Sequence, residues 1–238
     1  RPDSAEAREA LAAILNEVGE WQEAEQHYQA ALRIDPERWS AWQGLAESFR
    51  MSGRLEEAET LCRRLLDEHS ASAESHNNLA NVLHQLGRQH EAIALYRRAL
   101  ELKPDFVNAH VNLGNVLRDN RAMAAAEDSY IAALALEPDN ADAHVGLGML
   151  RLRTGRLAEG WPDLEWRFRG KWRFISFVQR DLKQPRWNGE PLAGRTLLLH
   201  AEQGFGDTIQ FCPYIAGIPR DGRVVLEVPK ALTDLLSS

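Results

Sequence analysis

The feature that most constrains this chain is a period. Residues 73–106 and 107–140 overlay with identities at His76/His110, Asn78/Asn112, Leu79/Leu113, Asn81/Asn115, Val82/Val116, Leu83/Leu117, Ala92/Ala126, Tyr96/Tyr130, Ala99/Ala133, Leu100/Leu134 and Pro104/Pro138, every pair 34 residues apart. A unit this short cannot bury an apolar face by itself, so it must stack against copies of itself. Extending the frame both ways gives five units, at about 5–38, 39–72, 73–106, 107–140 and 141–174. Leu11, Leu45, Leu79, Leu113 and Leu147 fill one slot, and the next stays small as Ala12, Ala46, Ala80, Gly114 and Gly148. Gly19, Gly53, Gly87 and Gly155 mark a turn between two helices, where glycine permits left-handed geometry; Arg121 is the exception. Ala24, Ala58, Ala92 and Ala126 form the small contact of the second helix, and Tyr28, Tyr96 and Tyr130 its aromatic plug, with Cys62 in the fourth place. Pro2, Pro36, Pro104 and Pro138 close units, with Ser70 in the missing position. Pro2 in a closing slot leads us to expect a piece of a longer protein.

Period and slot residues together resemble the tetratricopeptide repeat over residues 5–157. The resemblance implies a mainly α fold: a right-handed solenoid of helix–turn–helix repeats whose concave groove is lined mainly by first helices and holds a peptide or another protein. In that groove the candidate contacts are Asn77, Asn78, Asn81, His84, Asn108, Asn112, Asn115 and Arg118. Asn78 and Asn81 lie three apart on one helix face, and Asn112 and Asn115 repeat them. An amide carries donors and an acceptor, so such a row can pair with an extended backbone of any sequence. The pattern is similar to the asparagine ladder in the repeat domain of O-linked N-acetylglucosamine transferases. The alternative is that these amides cap or bridge neighbouring helices. Unit 1 has Ala10 and Ala13 in these places, unit 2 Gly44 and Glu47, and unit 5 Gly146 and Met149, so a ladder has at most two rungs. His76, His110 and His144 also recur, but equivalent residues on stacked helices stand on the order of 10 Å apart, too far to share an ion. They read as a packing slot, and neither a metal nor a cofactor is expected.

Charge narrows the partners. The net is −7 overall, but residues 1–150 carry 14 Lys/Arg against 25 Asp/Glu. An acidic array repels phosphate backbones, which disfavours nucleic acid as its ligand. No apolar run approaches the ~20 residues of a membrane span. Cys62 and Cys212 are too few and too far apart for a disulfide framework or a zinc site, so the expected compartment is a reducing cytoplasm.

Unit 5 degrades on its second helix, where Gly160 replaces the small alanine, Leu164 the aromatic and Trp172 the proline. Residues 160–194 then set Trp161, Trp166, Trp172, Trp187, Phe168, Phe174 and Phe177 among arginines and lysines. Such interleaving can stack on single-stranded nucleic acid; we read it instead as aromatics sealing the last repeat, with Trp161, Glu165 and Phe168 at helical spacing. Beyond a turn-rich connector, Thr196–His200 and Arg223–Val228 read as strands, the first followed by a glycine-bearing loop and a helix from Thr208, and the second by a helix opened by Pro229. Strand–loop–helix–strand–helix is how a doubly wound, Rossmann-like α/β domain begins. The expected division is a repeat superhelix over 1–174, a connector over 175–194 and a partial α/β domain over 195–238.

GWPDLEWRF, QPRWNGEPLAGRTLLL and HAEQGFGDTIQF look like the junction in bacterial proteins that join tetratricopeptide repeats to a heptosyltransferase-like glycosyltransferase domain, a resemblance covering about residues 157–238. It implies that Gly204, Gly206 and Thr208 belong to a phosphate or sugar-nucleotide loop, and that Asp207 matches the proposed base for the acceptor hydroxyl. Asp207 as a helix cap is the other reading. Glu202 and Gln203 would sit at the lip of the same crevice. Two strands and two helices lack the donor-binding half of such an enzyme, so these residues are expected to be non-catalytic alone. The alternative is an interaction scaffold with a degenerate α/β cap.

Overall fold

The computed structural model describes residues 4–169, 184–185, 187–201 and 212–233, which fall in two compact units, Arg1–Gly170 and Lys171–Ser238. In the first unit ten helices run as five hairpins: α1 (Ala5–Val18) with α2 (Trp21–Ile34), α3 (Trp39–Met51) with α4 (Leu55–Glu68), α5 (Ala73–Gln85) with α6 (Gln89–Leu102), α7 (Val107–Asp119) with α8 (Met123–Leu136), and α9 (Ala141–Arg153) with α10 (Leu157–Leu164). Each boundary lies within a few residues of the 34-residue frame. Ser4, Ser72 and Asn140 cap α1, α5 and α9 by accepting from the backbone N–H three residues on. Between the helices of each hairpin the chain turns through left-handed geometry at Gly19, Gly53, Gly87 and Gly155, and Arg121 takes the same conformation at φ 60° without being glycine.

Stacking buries the repeated slots. Leu45, Leu79, Leu113 and Leu147, and Ala24, Ala58, Ala92 and Ala126, belong to one continuous core that runs through all five hairpins. Tyr96 and Tyr130 are among its largest fully buried side chains. Tyr130 stands between two glycines, since a Cβ at Gly114 or Gly146 would come within 2.6 or 2.4 Å of its ring. Tyr28 excludes a side chain at Gly44 in the same way, at 2.2 Å.

A second repeating device joins consecutive second helices. Arg54 bonds Glu25 of the preceding repeat at 2.6 Å and Glu57 of its own helix. Arg88 does the same with Glu59 at 2.6 Å and Glu91 at 2.7 Å, and Arg156 takes Glu127 at 2.7 Å. Between α6 and α8 all three positions are apolar: Ile93 is buried, and Ala122 and Ala125 pack against the same core.

The array ends in a closer crossing than the repeats use. A Cβ at Gly148 would lie 2.7 Å from Leu164 N, and one at Gly160 2.8 Å from Leu152 Cγ, so α9 and α10 approach at backbone distance. Pro162 sits inside α10, which gives way to a 3-10 turn at Glu165–Phe168. Trp161, Glu165 and Phe168 therefore do not share one helical face. Asp163 is buried there, its carboxylate taken by Arg151 Nη1 at 2.6 Å and facing His144 Nδ1 at 2.7 Å. Trp166 stacks on His144 with ring centroids 4.1 Å apart, while Trp161 is half exposed, so only part of the aromatic run seals the last repeat. Trp172, Phe174 and Phe177 lie outside the described residues.

In the second unit, β1 (Thr196–His200) pairs parallel with β2 (Arg223–Glu227), Thr196 opposite Arg223. Asp221 locks the approach to both strands by accepting from Leu192 N at 3.1 Å and Ala193 N at 2.8 Å. Those backbone donors, Ala193 first, hold its carboxyl below the usual range. The helices expected from Thr208 and after Pro229 fall largely on 202–211 and 234–238, outside the described residues. Cys212–Gly217 is a 3-10 helix, and a 3-10 turn at Lys230–Leu232 leads into helical geometry at Thr233. Pro229 itself is extended (ψ 139°), so it precedes the turn rather than opening an α-helix.

Candidate functional site

The first helices α1, α3, α5, α7 and α9 follow one another along one face, each touching the next. On that face opens a cavity of about 590 Å³, lined by Gln43, Gly44, Glu47 and Arg50 of α3, Asn77, Asn78 and Asn81 of α5, Asn108, Val111 and Asn112 of α7, and Asp142 of α9. Five of the eight residues singled out from the sequence line it. The other three do not: His84 pairs with Asp119 Oδ2 at 3.0 Å, while Arg118 donates to Tyr130 OH and to Asp119, both at 3.3 Å. Asn115, which occupies the slot of Asn81 one repeat on, accepts from Tyr130 OH at 2.8 Å.

The amides are partly engaged with the protein. Tyr96 OH donates to Asn81 Oδ1 at 2.6 Å, Asn112 Nδ2 to Asn77 Oδ1 at 3.1 Å, and Asn77 Nδ2 to Asn78 Oδ1 at 3.4 Å. The bridging role weighed from the sequence is thus real for Asn77, Asn112, Asn81 and Asn115, and it leaves part of each amide's capacity unused. Burial raises the Tyr130 phenol to about 12 and pushes Tyr96 higher still, so both hydroxyls stay protonated donors.

Sequence reasoning missed the α3 wall. Glu47 and Gly44 looked like the ladder's termination, yet Gln43, Gly44, Glu47 and Arg50 hold the slots of Asn77, Asn78, Asn81 and His84 one repeat earlier. The period alone was the signal that could have found them. Arg50 forks onto Glu47 at 2.5 and 2.7 Å. Desolvation disfavours the Arg50 cation, but the hydrogen bond and charge of Glu47 outweigh it and lift the guanidinium above its ordinary range.

The recurrent histidines are structural. His110 and His144 each set Nε2 2.9 Å from the carbonyl of the preceding Pro104 or Pro138, and His76, where that proline is Ser70, sets Nδ1 2.9 Å from Ser72 O. Asp207, Gly204, Gly206, Thr208, Glu202 and Gln203 lie outside the described residues.

A stack of antiparallel helix pairs with a polar groove on its first-helix face defines a helical-repeat protein. Profiles of the tetratricopeptide repeat match residues 15–82 and 111–160, and one of the TPR repeat matches 80–120. The segment from 15 to 160 therefore consists of tetratricopeptide repeats, and the chain belongs to that repeat family. Similar solved structures include TTC0263, a thermophilic TPR protein in Thermus thermophilus (22% identity, TM-score 0.64, covering 70% of this chain and 96% of that one). Others are pilF of Pseudomonas aeruginosa (22% identity, TM-score 0.59, covering 70% and 76%) and yeast Tom70 (19% identity, TM-score 0.57, covering 68% and 35%). At these identities the likeness is one of fold. Comparison with curated protein sequences finds no match. Among the described residues no helix is long and apolar enough to cross a membrane.

Proposed function

We propose that the repeats form a peptide- or protein-binding module whose ligand lies extended across α3, α5 and α7. The observation that carries this reading is the single polar cavity wall formed by Asn77, Asn78, Asn81, Asn108 and Asn112 on consecutive first helices. Amides at that spacing serve a backbone rather than particular side chains, and the acidic array favours a neutral or basic ligand over an acidic one. Titration of fluorescent, end-capped nine-residue peptides against the wild type and an Asn78→Ala/Asn112→Ala variant tests it. Both residues line the cavity and neither holds a tyrosine, so the variant should fold and bind about tenfold more weakly. Equal affinity would remove the groove as the site.

We further propose that the module stands ahead of a glycosyltransferase-like domain, with residues 1–174 as superhelix, 175–194 as connector and 195–238 as the front of the sheet. Support comes from the parallel pairing of β1 with β2, as a doubly wound sheet begins. In that setting Asp207 would serve the acceptor hydroxyl and Gly204, Gly206 and Thr208 a sugar-nucleotide phosphate, in a cytoplasmic protein. The chain by itself is then non-catalytic. Calorimetric titration with uridine diphosphate sugars should show no heat of binding; a micromolar affinity for this chain alone would overturn that assignment.

A further inference from the structure

The asparagine row has a direction. Tyr96 and Tyr130 donate to Asn81 Oδ1 and Asn115 Oδ1 from behind the groove wall, with the same separation of 15 residues in consecutive repeats. Both rings are fully buried, and Tyr130 is wedged between Gly114 and Gly146, so neither hydroxyl can move off its partner. Rotating either amide by half a turn would set its N–H on the phenol oxygen, which can accept it, but would leave the buried phenol hydrogen without its acceptor. The Tyr130 oxygen, moreover, already accepts from Arg118. Asn77 Oδ1 and Asn78 Oδ1 are also taken, by Asn112 Nδ2 and Asn77 Nδ2. Four amide oxygens thus receive a protein hydrogen. The Nδ2 groups of Asn78, Asn81 and Asn115 donate to none of the described residues. In repeat 2 both members are replaced, Cys62 standing for the tyrosine and Glu47 for the asparagine, whereas repeat 1 keeps Tyr28 with Ala13 in the asparagine slot.

We infer that this row is polarised at the cavity, where Asn78 and Asn81 present N–H donors and take oxygen acceptors, namely the backbone carbonyls of an extended neutral or basic segment. Tyr96 is the positioning residue that sets the polarity of Asn81, and Tyr130 repeats the device at Asn115, outside the cavity lining. This rests on the peptide-binding reading above. Carbonyls rather than carboxylates follow from the acidity of the array, which raises the free energy of any anion brought to the groove.

The test uses the whole chain and a pool of end-capped, neutral nine-residue peptides built from Ala, Gly, Ser, Thr and Gln, at physiological salt. Asn78→Asp/Asn81→Asp removes the N–H groups while keeping an acceptor for Asn77 and for Tyr96, so helicity and the unfolding midpoint should hold while affinity falls on the order of 30-fold, about fivefold for each donor lost. Asn115→Asp adds charge one repeat on, outside the cavity lining and with an acceptor kept for Tyr130, and should cost less than threefold. Tyr96→Phe/Tyr130→Phe releases the amides and should lower affinity severalfold, and it should shift the side-chain ¹H–¹⁵N signals of Asn81 and Asn115 in the free protein. Retained affinity in the double Asp variant would overturn the polarity and leave the peptide reading standing. An equal loss in Asn115→Asp would assign the effect to charge and overturn it too. No binding of the pool by the wild type removes both readings together.

Discussion

Replacing Gly114 by alanine tests whether the Tyr130 wedge sets the spacing of the repeats. Two effects oppose. Alanine gains about 1 kcal/mol of helix propensity over glycine. Its Cβ, however, would come within 2.6, 2.8 and 2.9 Å of three Tyr130 ring atoms. The ring cannot swing aside, because it is fully buried and Gly146 confines its other side. Overpacking of this kind costs roughly 1–3 kcal/mol. The net is a destabilisation of about 1 kcal/mol, or about 2–4 °C in midpoint for a chain of this size, read by circular dichroism on heating. Gly148→Ala should be worse, since the obstruction there is the backbone of α10, with Leu164 N at 2.7 Å and Gly160 O at 2.9 Å. In a Tyr130→Leu background the Gly114 change should become neutral or stabilising, as the clash disappears and the propensity gain remains. A Gly114→Ala protein more stable than the wild type, or one whose loss is the same in the Tyr130→Leu background, would refute the wedge.

Further outcomes follow from single residues. Arg121→Gly should stabilise the array by about 1 kcal/mol in urea unfolding, because Arg121 holds φ 60° where the other repeats have glycine. Stability should fall between about pH 9 and 12: burial raises Cys62 and Tyr130 to about 12, and Tyr28 and Tyr96 also move up from 10.0. These groups stay protonated in the fold while the unfolded chain loses its protons first, so each costs up to ~1.4 kcal/mol per pH unit, and a flat alkaline unfolding profile would contradict their burial. Asp163→Ala should cost about 2 kcal/mol by removing the acceptor of Arg151 Nη1 and the partner of His144, with Glu127 still 3.6 Å from Arg151, and limited proteolysis should then cut in α10 before any other helix.

The repeats were legible because each slot is a packing demand that recurs at one period. Even Arg121 was flagged as the odd turn, although only the structure shows that it accepts left-handed geometry rather than avoiding it. The groove was half legible. Asn77, Asn78, Asn81, Asn108 and Asn112 share a wall because first helices face it, whereas His84 and Arg118 sit one turn further along and are captured by Asp119 and Tyr130. Glu47 and Gly44 were discounted because they are not asparagines, although position rather than residue type fixes what lines a solenoid. The arginine clamps on the second helices escaped notice, since charges on a helix surface ordinarily read as solvated. The place of Pro229 was not legible: a proline can stand in the first turn of a helix, but Pro229 stays extended and the first turn behind it, Lys230–Leu232, is 3-10.

The placement of the clamps bears on the groove. Wherever Arg54, Arg88 and Arg156 bridge consecutive second helices, the joint includes half-buried ion pairs that salt screens in part. The joint between α6 and α8 has Ile93, Ala122 and Ala125 instead, and it joins the two repeats that carry Asn78 and Asn112. Apolar contact does not weaken with ionic strength, so the spacing between these two rungs should be the most salt-independent in the array. A neutral peptide held by their amides should therefore bind with nearly the same affinity from about 0.05 to 1 M sodium chloride, while hydrogen exchange in α2, α4 and α10 speeds up. Affinity falling in step with that exchange would mean that the clamped joints, rather than the apolar one, hold the binding surface in shape.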